Sequence, residues 1–261
     1  MKVVVTNDDG IGCPGLRVLY EAVAPLGEAI IIAPVEARSA RGGVLTLEEP
    51  IRVYEMKTHG VVAYGITGSP RDVVHVAREV LGGVDILVAG VNVGENTSIQ
   101  NILVSGTVGA AAEAALFSIP AAAFSADVDN PLAFLDERYT DFVTKVIRAV
   151  VTYMASRKLP AGIDLINVNI PRVFKGLVKV APPARLRYIE RLERRVDPRG
   201  RPYFWLYGEA AVPEQGTDSY VLFVEKGVSL TPLSLNLGIN TTYLLQDLAV
   251  EVEKVIRNAK I

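Results

Sequence analysis

The sequence predicts an α/β protein: a Rossmann-like, doubly wound, mostly parallel sheet followed by a C-terminal β-hairpin arm and a terminal helix. Three observations point there. Short apolar runs typical of buried strands recur at residues 3–6 (VVVT), 29–33 (AIIIA), 85–89 (DILVA), 119–124 (IPAAAF) and 164–170 (DLINVNI). Helical patterns separate them, the alternation expected of a parallel sheet. Beyond residue 181 this rhythm stops and an Arg-rich segment broken by a clear turn takes over. The chain is therefore divided into a Rossmann-like domain, residues 1–181, and an extension, residues 182–261, holding the hairpin arm, a strand and the C-terminal helix.

The first strand, Val3 to Thr6, is broken by Asn7, Asp8, Asp9 and Gly10, so it ends in two adjacent carboxylates. Side chains on a strand alternate in direction, and the two acids converge only if the chain bends, which Gly10 and Gly12 permit. Pro14 suits the first turn of a helix through Leu16, Leu19, Ala22 and Val23. The second strand ends at Pro34, and the loop at 35–43 carries Arg38, Ser39 and Arg41 at the same sheet edge. Residues 45–53 and 61–66 read as a β-excursion. Gly68, Ser69 and Pro70 start a helix through Val80, with Asp72 placed to favour its dipole.

The strand at 85–89 gives way to a loop containing Asn92 and Asn96. A helix then opens at Ser105, Gly106 and Thr107, offering hydroxyls, unpaired N–H groups and a positive dipole end. Residues 132–157 read as one long amphipathic helix, and the strand at 164–170 as the close of the series. Arg185 to Tyr207 holds seven arginines around the turn Asp197, Pro198, Arg199, Gly200, a protruding hairpin. Its charges suit a solvated, salt-bridged arm, but Tyr188, Tyr203, Trp205 and Tyr207 are too many aromatics to leave in water, which favours packing on a second subunit. A strand at 227–233 and an amphipathic helix at 243–257 complete the chain.

Half of the 261 residues are apolar, a fifth are charged and the net charge is −2, so nothing in the balance calls for a nucleic acid polymer or an anionic membrane. The chain enters a strand directly, and no apolar run reaches the roughly 18 residues of a membrane span, so a cytoplasmic location is expected. Cys13 is the only cysteine, which excludes intrachain disulfides and thiolate metal sites. Its acidic neighbours argue against a nucleophilic thiol. His59 and His75 lack partners at metal-ligand spacing and are read as structural or exposed.

Asp8, Asp9, the Asn92 amide and the Ser39 hydroxyl form an all-oxygen set that suits Mg²⁺, Mn²⁺ or Ca²⁺ rather than zinc. A phosphate held at Ser105, Gly106 and Thr107, with Asn96 nearby, would face that metal. The implied reaction is hydrolysis of a phosphate monoester by a metal-activated water, with Asp9 a further candidate acid or base.

The motifs TNDDG, RS at Arg38 and Ser39, GSPRD at Gly68, GVNVGEN at Gly90, SGTVGAA at Ser105, NVNIP at Asn167 and the late TD and SLTPL segments occur in order along nearly the whole chain. In them the chain resembles the SurE family of metal-dependent 5'-nucleotidases. The resemblance implies that Asp8, Asp9, Ser39 and Asn92 bind one divalent ion per subunit. It places Asn96, Ser105, Gly106 and Thr107 around the phosphate, and Asp8 and Asp9 at the catalytic centre. It further implies hydrolysis of nucleoside 5'- and 3'-monophosphates or another small phosphate ester, and a homodimer or homotetramer formed by exchange of the C-terminal arm and helix. Ala40, Gly42, Ser69 and Arg71 depart from the family's usual residues, in or near the substrate-facing loops.

Three other readings use the same residues. Gly10, Gly12 and Gly15 spell G-x-G-x-x-G, with Glu36 downstream, as in a dinucleotide-binding oxidoreductase. Two carboxylates beside a pyrophosphate argue against it. An aspartyl-phosphate phosphatase would place its acids two apart, not adjacent. A non-catalytic nucleotide or phosphate sensor would share the whole constellation.

Overall fold

The structure is a computed structural model that describes residues 1–37, 42–238 and 246–257. The first apolar run forms β1 (Lys2–Thr6), and Pro14 occupies the opening position of α1 (Pro14–Val23). Next come β2 (Glu28–Pro34), β3 (Val53–Thr58), β4 (Val61–Ile66) and α2 (Asp72–Leu81). They are followed by β5 (Ile86–Val93), α3 (Ser98–Val104), α4 (Gly106–Leu116) and β6 (Ala121–Asp127). α5 (Glu137–Ser156), β7 (Leu165–Pro171) and β8 (Val178–Val180) precede the hairpin of β9 (Tyr188–Val196) and β10 (Pro202–Ala210). The described chain ends with α6 (Asp218–Phe223), β11 (Val228–Leu233) and α7 (Gln246–Arg257).

Among the described residues nine strands form one sheet, in the order β3-β4-β2-β1-β5-β6-β7-β11-β8. β1 pairs in parallel with both β2 and β5, and the parallel run continues through β4 on one side and through β6 and β7 on the other. Alternation along each strand divides the core between the two faces. Val3, Val5, Val88 and Phe124 pack with residues of α1 and α5, whereas Val4, Leu87, Ala89 and Ala123 pack with residues of α2 and α4. Chain order reverses direction between β1 and β5. In open α/β sheets that switch point, at the carboxyl ends of the strands, is where ligands bind.

Several expected elements are redrawn. Residues 45–52 form no strand, and the excursion begins at Val53 instead. β5 runs on through the residues expected to be loop and carries Asn92 as its penultimate member. α3 was not expected. The helix anticipated from residue 132 starts at Glu137, because the Asp136 side chain accepts the Arg138 and Tyr139 N–H groups and caps α5 there. The preceding segment, Pro131–Leu135, is a short 3₁₀ turn. The strand series does not close at β7: β11 pairs antiparallel with it, and β8 lies beyond β11.

Candidate active site

Asp8 and Asp9 follow β1 directly, where Asn7 and Gly10 turn the chain. The Asn7 Nδ2 donates to the Gly10 carbonyl at 3.0 Å, and Gly10 takes a φ of 93°, a left-handed value that glycine tolerates. The Ile11 N–H donates to the Pro34 carbonyl at 2.8 Å and ties this loop to the end of β2. Gly15 has a packing reason for being glycine: a Cβ there would overlap the Val91 carbonyl of β5.

The two acids lean in different directions. Asp8 is buried and faces the first turn of α4, where the Thr107 hydroxyl and the Gly106 N–H both donate to its carboxylate. A Cβ on Gly106 would lie 2.7 Å from the Asp8 Cβ, so this approach of helix to acid requires glycine. Ser105 caps the same helix, its Oγ accepting from the Val108 N–H at 3.1 Å. Asp9 is half-buried and faces the end of β5, where its Oδ2 accepts from the Val93 N–H at 3.2 Å. Beside it lies a cavity of about 570 Å³ lined by Asp9, Gly10, Cys13, Val35, Val93 and Pro131, among others. Burial pushes the Asp8 carboxyl up to about 6, against the pull of Thr107, and the neighbouring Asp9 charge adds to the rise. Burial also raises Asp9, and it raises the Cys13 thiol together with the charge of Asp9.

Asn92, next to the Val93 that meets Asp9, spends its amide nitrogen on the Val93 and Gly94 carbonyls, at 3.2 and 2.8 Å. Its Oδ1 is therefore the atom through which Asn92 could hold a ligand. Two adjacent carboxylates strained by burial and an oriented amide oxygen are a donor set that fits a hard divalent cation, which would relieve the charge on both acids. Among the described residues no group of three or more His, Cys, Asp or Glu side chains could hold a metal. Ser39 lies outside the described residues, as do Arg38 and Arg41.

Asn96 sits in a separate polar cluster. Its Nδ2 donates to Ser125 Oγ at 2.8 Å, its N–H to Asn169 Oδ1 at 2.8 Å, and its carbonyl accepts from Asn167 Nδ2 at 2.8 Å. Ser125 was not singled out from the sequence, and Asn167 and Asn169 only within a motif. The signal was present, since Asn167 and Asn169 are two apart on β7 and must share a face. Asp218 was quoted only within the late TD segment and given no role. It accepts from the Ser98 and Ala184 N–H groups, each at 2.9 Å, and so anchors the start of α3. His75 pairs with Glu113 at 3.1 Å, and His59 Nε2 lies 3.1 Å from the Ile11 carbonyl, so neither joins the site.

The sheet and its switch-point acids define a class: an α/β protein with an oxygen-lined ligand site at the carboxyl edge. The sequence profile described as Survival protein SurE matches residues 3–190, and the chain belongs to that family. It is 47% identical over 243 residues to the 5'-nucleotidase SurE of Hyperthermus butylicus, a match covering 91% of this chain and 86% of that protein. It is 40% identical over 262 residues to the 5'-nucleotidase SurE of Pyrobaculum arsenaticum, covering 98% of each. The crystal structure of the Aquifex aeolicus SurE protein superposes with a TM-score of 0.80 at 30% identity, over 97% of this chain and all of that one.

Proposed function

We propose that the chain is a divalent-metal-dependent phosphomonoesterase, a 5'-nucleotidase acting on nucleoside 5'- and 3'-monophosphates. The observation that carries this reading is the meeting of Asp9 with the end of β5 at the sheet's switch point, one residue from Asn92. Asp8, Asp9 and Asn92, with Ser39 as the fourth ligand, would hold one Mg²⁺ or Mn²⁺ per subunit. A cation bound there supplies an activated water and neutralises charge on the phosphoryl group. The chain's own residues do the rest. Thr107 and Gly106 hold Asp8 at the positive end of α4, and with phosphate bound the donors of Ser105, Gly106 and Thr107 would turn to its oxygens, joined by Asn96 on release from Ser125. Asp9, facing the cavity, would also take a proton from the attacking water. The relatives' shared name supports this substrate class, and a cytoplasmic location belongs to the same reading.

The assembly is a homodimer or homotetramer formed through the C-terminal arm. Supporting this, Trp205, Phe204 and Leu206 of the hairpin are 58, 56 and 64% exposed, more apolar surface than a monomer keeps. Calorimetric titration of the metal-free protein with Mn²⁺ tests the ligand set. One site per subunit is expected, weakened at least roughly tenfold in Asp9→Asn, Asn92→Ala and Ser39→Ala. Unaltered Mn²⁺ affinity in all three variants would contradict it.

A further inference from the structure

We propose that Arg71, held by the buried Glu113, is a positioning residue of the nucleotidase site: it fixes the backbone at Gly42 against the first turn of α4, the turn that holds Asp8. The inference rests on the assignment of Asp8 to the metal in the reading above.

Glu113 lies two turns into α4 with its side chain only 7% exposed, and a carboxylate so placed needs partners. The N-cap of α2 and its first turn supply two: Arg71, Nη1 at 3.0 Å, and His75 one turn further on, Nε2 at 3.1 Å. A guanidinium is a rigid fork, so committing Nη1 to Glu113 fixes the direction of Nε. That Nε donates to the Gly42 carbonyl at 2.7 Å.

Gly42 is wedged on its other sides by the end of α3 and the start of α4. Its N–H donates to the Val104 carbonyl at 3.0 Å, a Cβ on it would lie 2.6 Å from the Ser105 carbonyl oxygen, and a Cβ on Gly109 would overlap the Gly42 carbonyl. The contact is therefore backbone against backbone, and Arg71 closes it. The following residues are held by the same end of α2 at every second position: Ser69 Oγ donates to the Val44 carbonyl at 2.7 Å, and the Thr46 hydroxyl to Asp72 at 2.6 Å. Those two bonds secure the segment to α2 without Arg71. The Arg71 bond is the one that bears on the helix turn where Gly106 and Thr107 receive Asp8.

The test compares Arg71→Ala, Arg71→Lys, His75→Ala and Asp8→Asn with the parent, in the full chain and well below each protein's unfolding midpoint. Mn²⁺ affinity is read without substrate by electron paramagnetic resonance of free Mn²⁺, and kcat/KM is read with a nucleoside 5'-monophosphate. Arg71→Ala is expected to weaken Mn²⁺ binding and lower kcat/KM by roughly tenfold each, the scale of a sub-ångström misplacement. Arg71→Lys recovers only part of this, because an ammonium cannot span Glu113 and Gly42 with a fixed fork. His75→Ala, which removes the other Glu113 partner, leaves both values unchanged. Parent values in Arg71→Ala, or an equal loss in His75→Ala, with Asp8→Asn inactive, would overturn the positioning role and leave the site assignment standing. Full activity in Asp8→Asn would overturn the site assignment and this inference with it.

Discussion

Asp8 is where burial, charge and helix position act on a single side chain. Burial disfavours its anion, and the Thr107 hydroxyl and the Gly106 N–H favour it, with burial prevailing. Its carboxyl titrates near 6 in the folded protein, against 3.8 ordinarily. The folded state thus binds this proton more tightly than the unfolded chain. Asp8's contribution to metal-free stability is complete below about pH 4 and lost as pH rises through about 6, an effect of about 3 kcal/mol. Asp8→Asn keeps the shape and removes the buried charge. In EDTA at neutral pH it should melt above the parent, and its midpoint should vary less between about pH 4 and 6, while activity falls by about 10²-fold or more. A lower melting midpoint than the parent at every pH would contradict this account of Asp8.

At the scale of elements, the site depends on how α3 and α4 are placed between the strands. Asp218 of α6 anchors the start of α3, accepting from Ser98, Ala184 and Ser219, the last at 2.6 Å, with its side chain fully buried. Asp218→Ala would leave buried N–H groups without an acceptor, each costing about 1–3 kcal/mol, so a fall of several degrees in melting temperature is expected by calorimetry. An unchanged midpoint would refute that role. None of this was legible locally, because Asp218 and Ser98 stand 120 residues apart. α3 itself hid because it is seven residues long and presents Leu103 and Val104 to solvent, so it carries no core-facing stripe. The break at Asp136 hid for the opposite reason: Phe134 and Tyr139 on either side of it are both buried, so the apolar spacing ran straight through. What could be read were β1, α1, β2, α2, α4 and the alternating core strands, since there period and punctuation agree. Asp8 and Asp9 were legible as candidates for the same reason, lying where a buried strand must end.

At the scale of the whole molecule, the described residues expose two apolar surfaces. One is the arm. The other is a cavity of about 690 Å³ lined by residues of α5, β7, β8 and β11, including Phe142, Val146, Val150, Ile166, Val180 and Leu230. α7 carries Leu248, Val250 and Val252, about half exposed. An exchanged arm and helix from a second copy would cover such surfaces. Sedimentation should show the full chain as a dimer or tetramer at micromolar concentration, and removal of residues 239–261 should lower the mass and increase binding of an apolar dye. A monomeric full chain would contradict this assembly. No helix among the described residues is long and apolar enough to cross a membrane. The central claim, that the switch-point acids make this chain a metal-dependent nucleotidase, is tested most directly by phosphate release from nucleoside monophosphates. It should be measured in EDTA and again with Mn²⁺ or Mg²⁺ restored, in the parent and in Asp8→Asn. The account predicts activity that is lost with chelator, returns with metal, and is nearly absent from the variant at every metal concentration. Turnover that persists in EDTA, or that Asp8→Asn retains in full, would contradict it.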